Sequence, residues 1–505
     1  MTIPASAPAS NQHATVRAAA RSWLQRLLAE NASLVVLVAG LGALLLLVSP
    51  GLLVADSWLA LVAGREIVQH GLPSHDALVI LTHGTRWVDQ QWLAQLFYYG
   101  AWTLGGIRLA VILNVVLAVA AVGSGVLAAR LRGASSASVL VVSTVCLFVA
   151  PWSWQLRPQV LALPLFVWTV FLLTQDVRRP TRRAFLVFPI LVLWANLHGT
   201  VVLAAVLTAL AGVAAIVRDR NVTPRAAAFL LLPWLCVLAS PYGLHLPGYY
   251  KLMLVNPPFA RFINEWQPAR PSAVTVMFFL LVAATIVLVV RQRRRFTLYE
   301  LAILGLTCIE AVHAVRAIAW FALAAQVLLP TALDGVLHRR GERRTNAFAH
   351  RFALVVLMAF LVSLVVAAGR PERWYQRYWP EAAVAAVVEQ PQSTTVFPSD
   401  RYGDWLLWRI PSLRGRIAYD VRFELVNRNE LDALSRYARM REQSWPSVTD
   451  GYGVVVLDLP RRSAQLRAFL SRPGFRLLYE KKDDVAVLVN SCAGPERVAS
   501  KCPSG

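Results

Sequence analysis

The sequence predicts an α-helical polytopic membrane protein of about eleven transmembrane helices, ending in a C-terminal extracytoplasmic α/β domain. Composition is the first sign: 57% of residues are hydrophobic, only 15% are charged, and the mean hydropathy of +0.52 is foreign to a soluble domain of this length. Second, charge-poor apolar runs recur at lengths that suit a spanning helix, about 20 residues. Third, beyond residue 370 the apolar runs shrink to strand length.

Residues 1–32 read as a cytoplasmic tail, rich in Ala and Ser at its start and carrying Arg17, Arg21 and Arg26. The span that follows, 33–54, is too long for a signal-peptide core and is expected to be retained. Residues 55–106 then form an external loop. The other expected spans lie near 107–129, 137–152, 158–175, 184–196, 199–217, 226–240, 273–290, 298–314, 317–337 and 352–369, and complete a transmembrane domain over 33–370.

Orientation follows from the arginines. "RLR" (130–132), "RRPTRR" (178–183), "RDRNVTPR" (218–225), "RQRRR" (291–295) and "HRRGERR" (338–344) should all face the cytoplasm, which requires two crossings between 183 and 218 and makes "WANLHG" an external turn. The formal charge of +22 is thereby spent on topology, and no nucleic-acid partner is expected. Eleven crossings put residues 371–505 outside. Within them "TTVFP", "GRIAYD", "GYGVVVLDL", "FRLLYE" and "DVAVLVN" read as strands, with "NELDALSRYARM" and "RRSAQLRAFL" as helices. An oxidising compartment would let Cys492 and Cys502 close a short loop by a disulfide, whereas Cys146, Cys236 and Cys308 lie in spans as packing residues.

Sorted by side, the unusual polar residues gather outside. The first external loop carries Asp56, His70, His75, Asp76, His83 and Asp89. Other outer ends supply "WSWQLRPQ" with Arg157, "WANLHG" with His198, "SPYGLHLPGYY", "RFINEWQP" with Glu265, and "EAVHAVR" with Glu310, His313 and Arg316. A charged group near hydrocarbon costs on the order of 2–3 kcal/mol, so this set needs partners or a water-filled cavity, and an external polar cavity supplies both.

Asp56, at the exit of the first span, is the leading candidate catalytic residue, as a general base or as a ligand of Mg or Mn; helix capping is its structural alternative. Asp89 is a second catalytic candidate that could equally cap the following helix. Arg157 and Arg316 offer guanidinium forks that match phosphate oxygens. With His75, Asp76, His198 and Glu265 they form the expected substrate-binding set. Trp58, Trp87, Trp92, Trp152, Trp194 and Trp266 present flat faces for a sugar ring, a distribution that an interfacial aromatic belt also produces.

Several blocks of the chain resemble, in order, those of the bacterial polytopic proteins related to the GT-C glycosyltransferases, which include protein O-mannosyltransferases and lipid A aminoarabinose transferases. They are "DSWLALVAGREIVQHGLPSHDALVILTHGTRWVDQQWL", "LRPQ", "LWANLHGT", "SPYGLHL", "FINEWQP" and "VRAIAWFALAA". The resemblance implies a GT-C-like transmembrane domain in the bacterial inner membrane and a sugar donor linked to polyprenyl phosphate. It also implies an inverting transfer in which the acidic residue of the first external loop, here Asp56, assists the acceptor or the departing phosphate, sometimes with a divalent metal. By the same resemblance, Arg316 would be the counterpart of the family's phosphate-binding cation. The chain departs from the pattern at Leu59 and Ala60, where a histidine is expected, and at Ala55 and Ser57, which flank Asp56 where the pattern pairs acids.

The expected function is therefore transfer of a sugar from a lipid-linked donor to a glycan, lipid or protein acceptor of the envelope, among membrane lipids. A non-catalytic carrier or scaffold for lipid-linked glycan, or a glycan polymerase or ligase, is the alternative. A carrier would place polar groups near the bilayer midplane and often shows inverted repeats, and neither pattern is present in the sequence.

Overall fold

The computed structural model describes residues 31–255, 258–337 and 347–493. The expected cytoplasmic tail, the "HRRGERR" segment and Cys502 fall wholly or almost wholly outside these residues.

Each of the eleven expected apolar stretches contains helix. In chain order the helices are α1 (Ala32–Leu47), α2 (Ala55–His70), α3 (Trp92–Leu131), α4 (Ser136–Val149), α5 (Gln159–Arg178), α6 (Val187–Ala195), α7 (Val201–Asp219), α8 (Pro224–Val237), α9 (Leu246–Val255), α10 (Val276–Arg291), α11 (Leu298–His313), α12 (Ile318–Leu328), α13 (Pro330–Val336) and α14 (Ala347–Gly369). Among the described residues, four helices are long and apolar enough to cross a membrane, namely α3, α5, α7 and α14; a fifth span is added if α12 and α13 count as one broken by 52°. The number of crossings is thus not fixed at eleven. Local chemistry shortens the rest: Pro50 ends the first apolar stretch in a 3-10 turn over Ser49–Leu52, and Pro330 interrupts the 317–337 stretch, because a ring in place of the N–H cannot continue the helical ladder.

The loop expected to be external, residues 55–106, is more ordered than its turn-forming sequence suggests. α2 is buried along most of its first half and packs on α3; a Cβ at Gly64 would lie 2.6 Å from the Gln95 carbonyl oxygen, so only glycine permits the approach. α3 absorbs the expected 107–129 span and the loop helix before it, with a break at Gly105 and Gly106. Gly106 has φ +68, and a Cβ there would fall 1.7 Å from Glu372 Oε1, which seats the start of the C-terminal segment on α3.

That segment carries a four-stranded sheet of order β1-β2-β4-β3, from β1 (Val396–Phe397), β2 (Val454–Asp458), β3 (Phe475–Lys481) and β4 (Val485–Asn490). β1 pairs parallel with β2, and β4 pairs antiparallel with both β2 and β3. Helices Glu372–Tyr375, Glu381–Val388, Gly403–Arg409, Arg428–Arg439 and Leu459–Leu470 complete it. The strand expected at "GRIAYD" forms only isolated bridges, since it sits between two partners: Ile417 faces Val396 on one side and Val79 of the external loop on the other. The Ile80 and Leu81 amides donate to Ile417 and Ala418 carbonyls at 2.8 and 3.0 Å, and the Gly415 amide donates to Leu78 O at 2.8 Å. Loop and C-terminal segment are therefore hydrogen-bonded into one cap. Cys492 is in a disulfide, and Cys146, Cys236 and Cys308 are free.

Candidate functional site

Asp56 stands in the first turn of α2, but it does not cap that helix. The Ser57 hydroxyl accepts from the Val54 amide at 2.9 Å and donates to Leu156 O at 2.7 Å, which leaves the Asp56 carboxylate free to face outward, 39% exposed. The same Ser57 bond brings the turn before α5 alongside, and with it Arg157. Arg157 Nε lies 3.0 Å from Asp56 Oδ2, an ionic contact out of line for a hydrogen bond, while Nη1 donates to Glu265 Oε2 at 2.7 Å. Burial works against the Arg157 charge, yet the two carboxylates hold the guanidinium protonated more firmly than usual. Burial likewise pushes Glu265 up, and the Arg157 hydrogen bond and charge outweigh it, so Glu265 ends below the ordinary carboxylate range.

Arg316 completes the group. It sits in the 3-10 turn before α12, its guanidinium carbon 4.3 Å above the Trp266 ring centroid and within electrostatic reach of Glu265, Asp56 and Tyr249. It makes no hydrogen bond or ion pair with another described residue. Electrostatically beside it is His198, buried in the turn between α6 and α7. Trp194 Nε1 donates to Thr200 Oγ1 at 3.3 Å, and the Thr200 hydroxyl and amide meet His198 Nδ1 at 2.8 and 3.3 Å. Burial, then the Arg316 charge, pushes the imidazole down to about 3. A neutral ring that accepts at Nδ1 carries its proton on Nε2, so His198 is a neutral donor next to a cation.

Asp89 is nearly fully buried rather than open in a cavity. Gln95 Nε2 donates to its Oδ1 at 2.9 Å, Oδ2 has no hydrogen-bond partner, and burial raises it to about 7. Its side chain does not make the expected N-terminal cap of α3. Glu424, from the C-terminal segment, is likewise raised to about 7 by burial, and it senses Asp56, Arg422 and Asp420. Sequence pattern gave no reason to single it out.

Asp76 lies in a separate buried cluster. It accepts from Arg422 Nη2 at 2.8 Å, from the Leu78 amide at 3.0 Å and from Thr82 Oγ1 at 2.5 Å, while Arg422 also binds Asp420 and stacks 4.2 Å over Trp87. That cluster fastens the external loop to the C-terminal segment. His75 is exposed, with Nδ1 3.0 Å from Ser74 Oγ. The structure thus brings Asp56, Arg157, His198, Glu265 and Arg316 together, sets Asp89 at their margin with Glu424, and leaves His75 and Asp76 outside. Of the tryptophans, Trp266 lies beneath Arg316, and Trp58 and Trp194 are core residues.

No group of three or more His, Cys, Asp or Glu side chains able to hold a metal converges among the described residues, and the charge beside Asp56 is supplied by Arg157. No step below is routed through Mg or Mn.

No family model and no curated protein sequence matches the chain. Solved structures do. ArnT from Cupriavidus metallidurans in the apo state superposes with a TM-score of 0.50 at 16% identity, over 94% of this chain and 100% of that one. The Archaeoglobus fulgidus oligosaccharyltransferase in the apo form gives 0.50 at 12% identity, over 91% and 74%. The same organism's AglB, in complex with an inhibitory peptide and a dolichol-phosphate, gives 0.51 at 13%, over 90% and 74%. The chain has the GT-C fold. These identities establish the architecture that GT-C membrane glycosyltransferases share and leave the chemistry to the residues.

Proposed function

We propose that this chain is a membrane glycosyltransferase, moving a sugar from a polyprenyl-phosphate-linked donor to an envelope acceptor at the extracytoplasmic face of a bacterial inner membrane. The observation that carries the reading is one polar group at one end of the bundle: an accessible carboxylate, Asp56, oriented by Arg157, beside a guanidinium, Arg316, that makes no ion pair with another described residue. A cation with no direct ion pair among the described residues, next to a carboxylate already held by another arginine, suits a substrate that brings its own negative charge. The dolichol-phosphate held by AglB, which shares the fold, supports a phosphopolyprenol as that substrate.

In the reaction the acceptor hydroxyl hydrogen-bonds to Asp56, which takes its proton as the oxygen bonds to the anomeric carbon. The bond from that carbon to the phosphate oxygen breaks, and the lipid phosphate leaves with one more negative charge than it had as a diester. Arg316 faces that growing charge. His198 offers its Nε2–H to the same phosphate without competing for the acceptor's proton, since its ring stays neutral. Arg157 and Glu265 are positioning residues that keep Asp56 from swinging onto Arg316. Asp89 and Glu424, raised by burial to about 7 and so close to half-protonated at pH 7, border the space where the sugar and acceptor would lie. The hydrogen-bonded cap of loop and C-terminal segment keeps bulk water away.

The test is Asp56→Asn in purified protein in lipid nanodiscs, given undecaprenyl-phosphate mannose or undecaprenyl-phosphate glucose and scored by release of undecaprenyl phosphate. Loss of a general base predicts a rate lower by at least about 10²-fold with donor binding retained. A rate within about twofold of the parent contradicts the assignment.

A further inference from the structure

The arginines that orient the chain do more than mark a side. At the end of the bundle away from Asp56, about 39 Å along α3 from its glycine break at 1.5 Å per residue, a cleft of about 560 Å³ opens between Arg130, Arg132, Arg178, Arg294, Arg295 and Asp334. That volume suits a small-molecule head group. Five guanidiniums and one carboxylate, Asp334, line it. Asp334 is spent on α4, accepting from the Ser135 amide at 2.7 Å and from Ser138 Oγ at 2.7 Å. Glu300 is paired with Arg132 and Arg178, which share it.

Two guanidinium groups have capacity to spare. Arg132 is 4% exposed, and its Nε is buried with no hydrogen-bond partner although Nη1 donates to Thr174 Oγ1 at 2.9 Å. Arg294 is exposed and makes no bond to another described residue. Topology alone asks for positive charge near the membrane surface; it does not ask for a cavity lined by five arginines.

We infer that this cleft is a binding site for a phosphate-bearing anion of the phospholipid head-group class. It is independent of the proposed transfer reaction. Guanidinium forks match phosphate oxygens, and basic pockets between spanning helices on the cytoplasmic side suit anionic lipid head groups.

The test compares the full chain with Arg294→Gln/Arg295→Gln and with a control pair, Arg182→Gln/Arg183→Gln, exposed arginines on the same side that do not line the cleft. Arg132 is left intact because its loss would leave the buried Glu300 with Arg178 as its remaining paired arginine. Thermal stability in detergent is titrated with dioctanoyl phosphatidylglycerol, dioctanoyl phosphatidylcholine and sodium pyrophosphate. The expected result is stabilisation by phosphatidylglycerol over phosphatidylcholine, with an apparent Kd at least tenfold weaker in the cleft pair and within twofold in the control pair. Pyrophosphate acting with the same dependence identifies a free phosphate group as sufficient; its failure beside phosphatidylglycerol identifies the lipid head group. Equal weakening in both pairs, no weakening in the cleft pair, or equal stabilisation by both lipids overturns the inference.

Discussion

Arg157→Gln separates positioning of Asp56 from mere structure. The wild-type side chain is 19% exposed and joins Glu265, 33% exposed, to Asp56, 39% exposed. A charge-assisted hydrogen bond of this kind contributes about 1.5–3 kcal/mol when shielded, and partial exposure reduces it towards the 0.2–1 kcal/mol of surface pairs, so about 1–2 kcal/mol is expected. For a chain this long that is a fall in Tm of a few degrees. The catalytic loss should be larger, about 10²-fold, because a displaced carboxylate no longer meets the acceptor hydroxyl. The stability difference should also depend on pH. In the parent, burial raises Glu265 but Arg157 lowers it further, so the group's stabilising contribution is present above pH 4.5 and lost as pH falls through its folded value. Without Arg157 the burial effect is less opposed, and ionised Glu265 becomes a cost at pH 7. The Tm gap between parent and variant, followed by tryptophan fluorescence, should therefore be widest near pH 7 and close towards pH 4. A parent-like transfer rate, or a gap that does not change with pH, would refute the reasoning.

Asp89→Asn tests the buried acid. With burial raising it to about 7, well above the ordinary carboxylate range, Asp89 stabilises the fold at low pH and loses that contribution as pH rises through about 7; the amide should raise Tm at pH 8 and leave it unchanged near pH 4. An identical pH slope in parent and variant would count against it. Asp76→Asn should loosen the cap: breaking a buried ion pair costs about 3–5 kcal/mol, less here because Arg422 keeps Asp420, so about 2–3 kcal/mol and faster proteolysis within residues 71–91 are expected. Unchanged Tm and unchanged cleavage would show that the loop is held elsewhere.

Apolar runs made the helices legible, since a stretch without charge has few other folded fates in a bilayer. Their lengths were harder to read: Pro50 and Pro330 cut runs that composition alone joins, and Gly105 and Gly106 allow one helix to swallow a loop helix and a span. Sidedness then brought Asp56, Arg157, His198, Glu265 and Arg316 into one candidate set, because residues at the same end of a bundle are neighbours whatever their sequence separation. What pattern could not supply was the contribution of the C-terminal segment. Arg422 meets Asp76 across 346 residues, and Glu424 follows Phe423 in a stretch with no period to read. The tie between "GRIAYD" and the external loop was hidden for a related reason: a segment that pairs on both sides by single bridges reads as an ordinary short strand.

The central claim is that a lipid phosphate belongs between Asp56 and Arg316. A density map of the protein in nanodiscs with undecaprenyl phosphate tests it most directly. The account predicts the phosphate within hydrogen-bond distance of the Arg316 guanidinium, on the Asp56 side, and its loss from that position in Arg316→Gln. Phosphate density elsewhere on the bundle, with the Arg316 guanidinium still bare above Trp266, would contradict it.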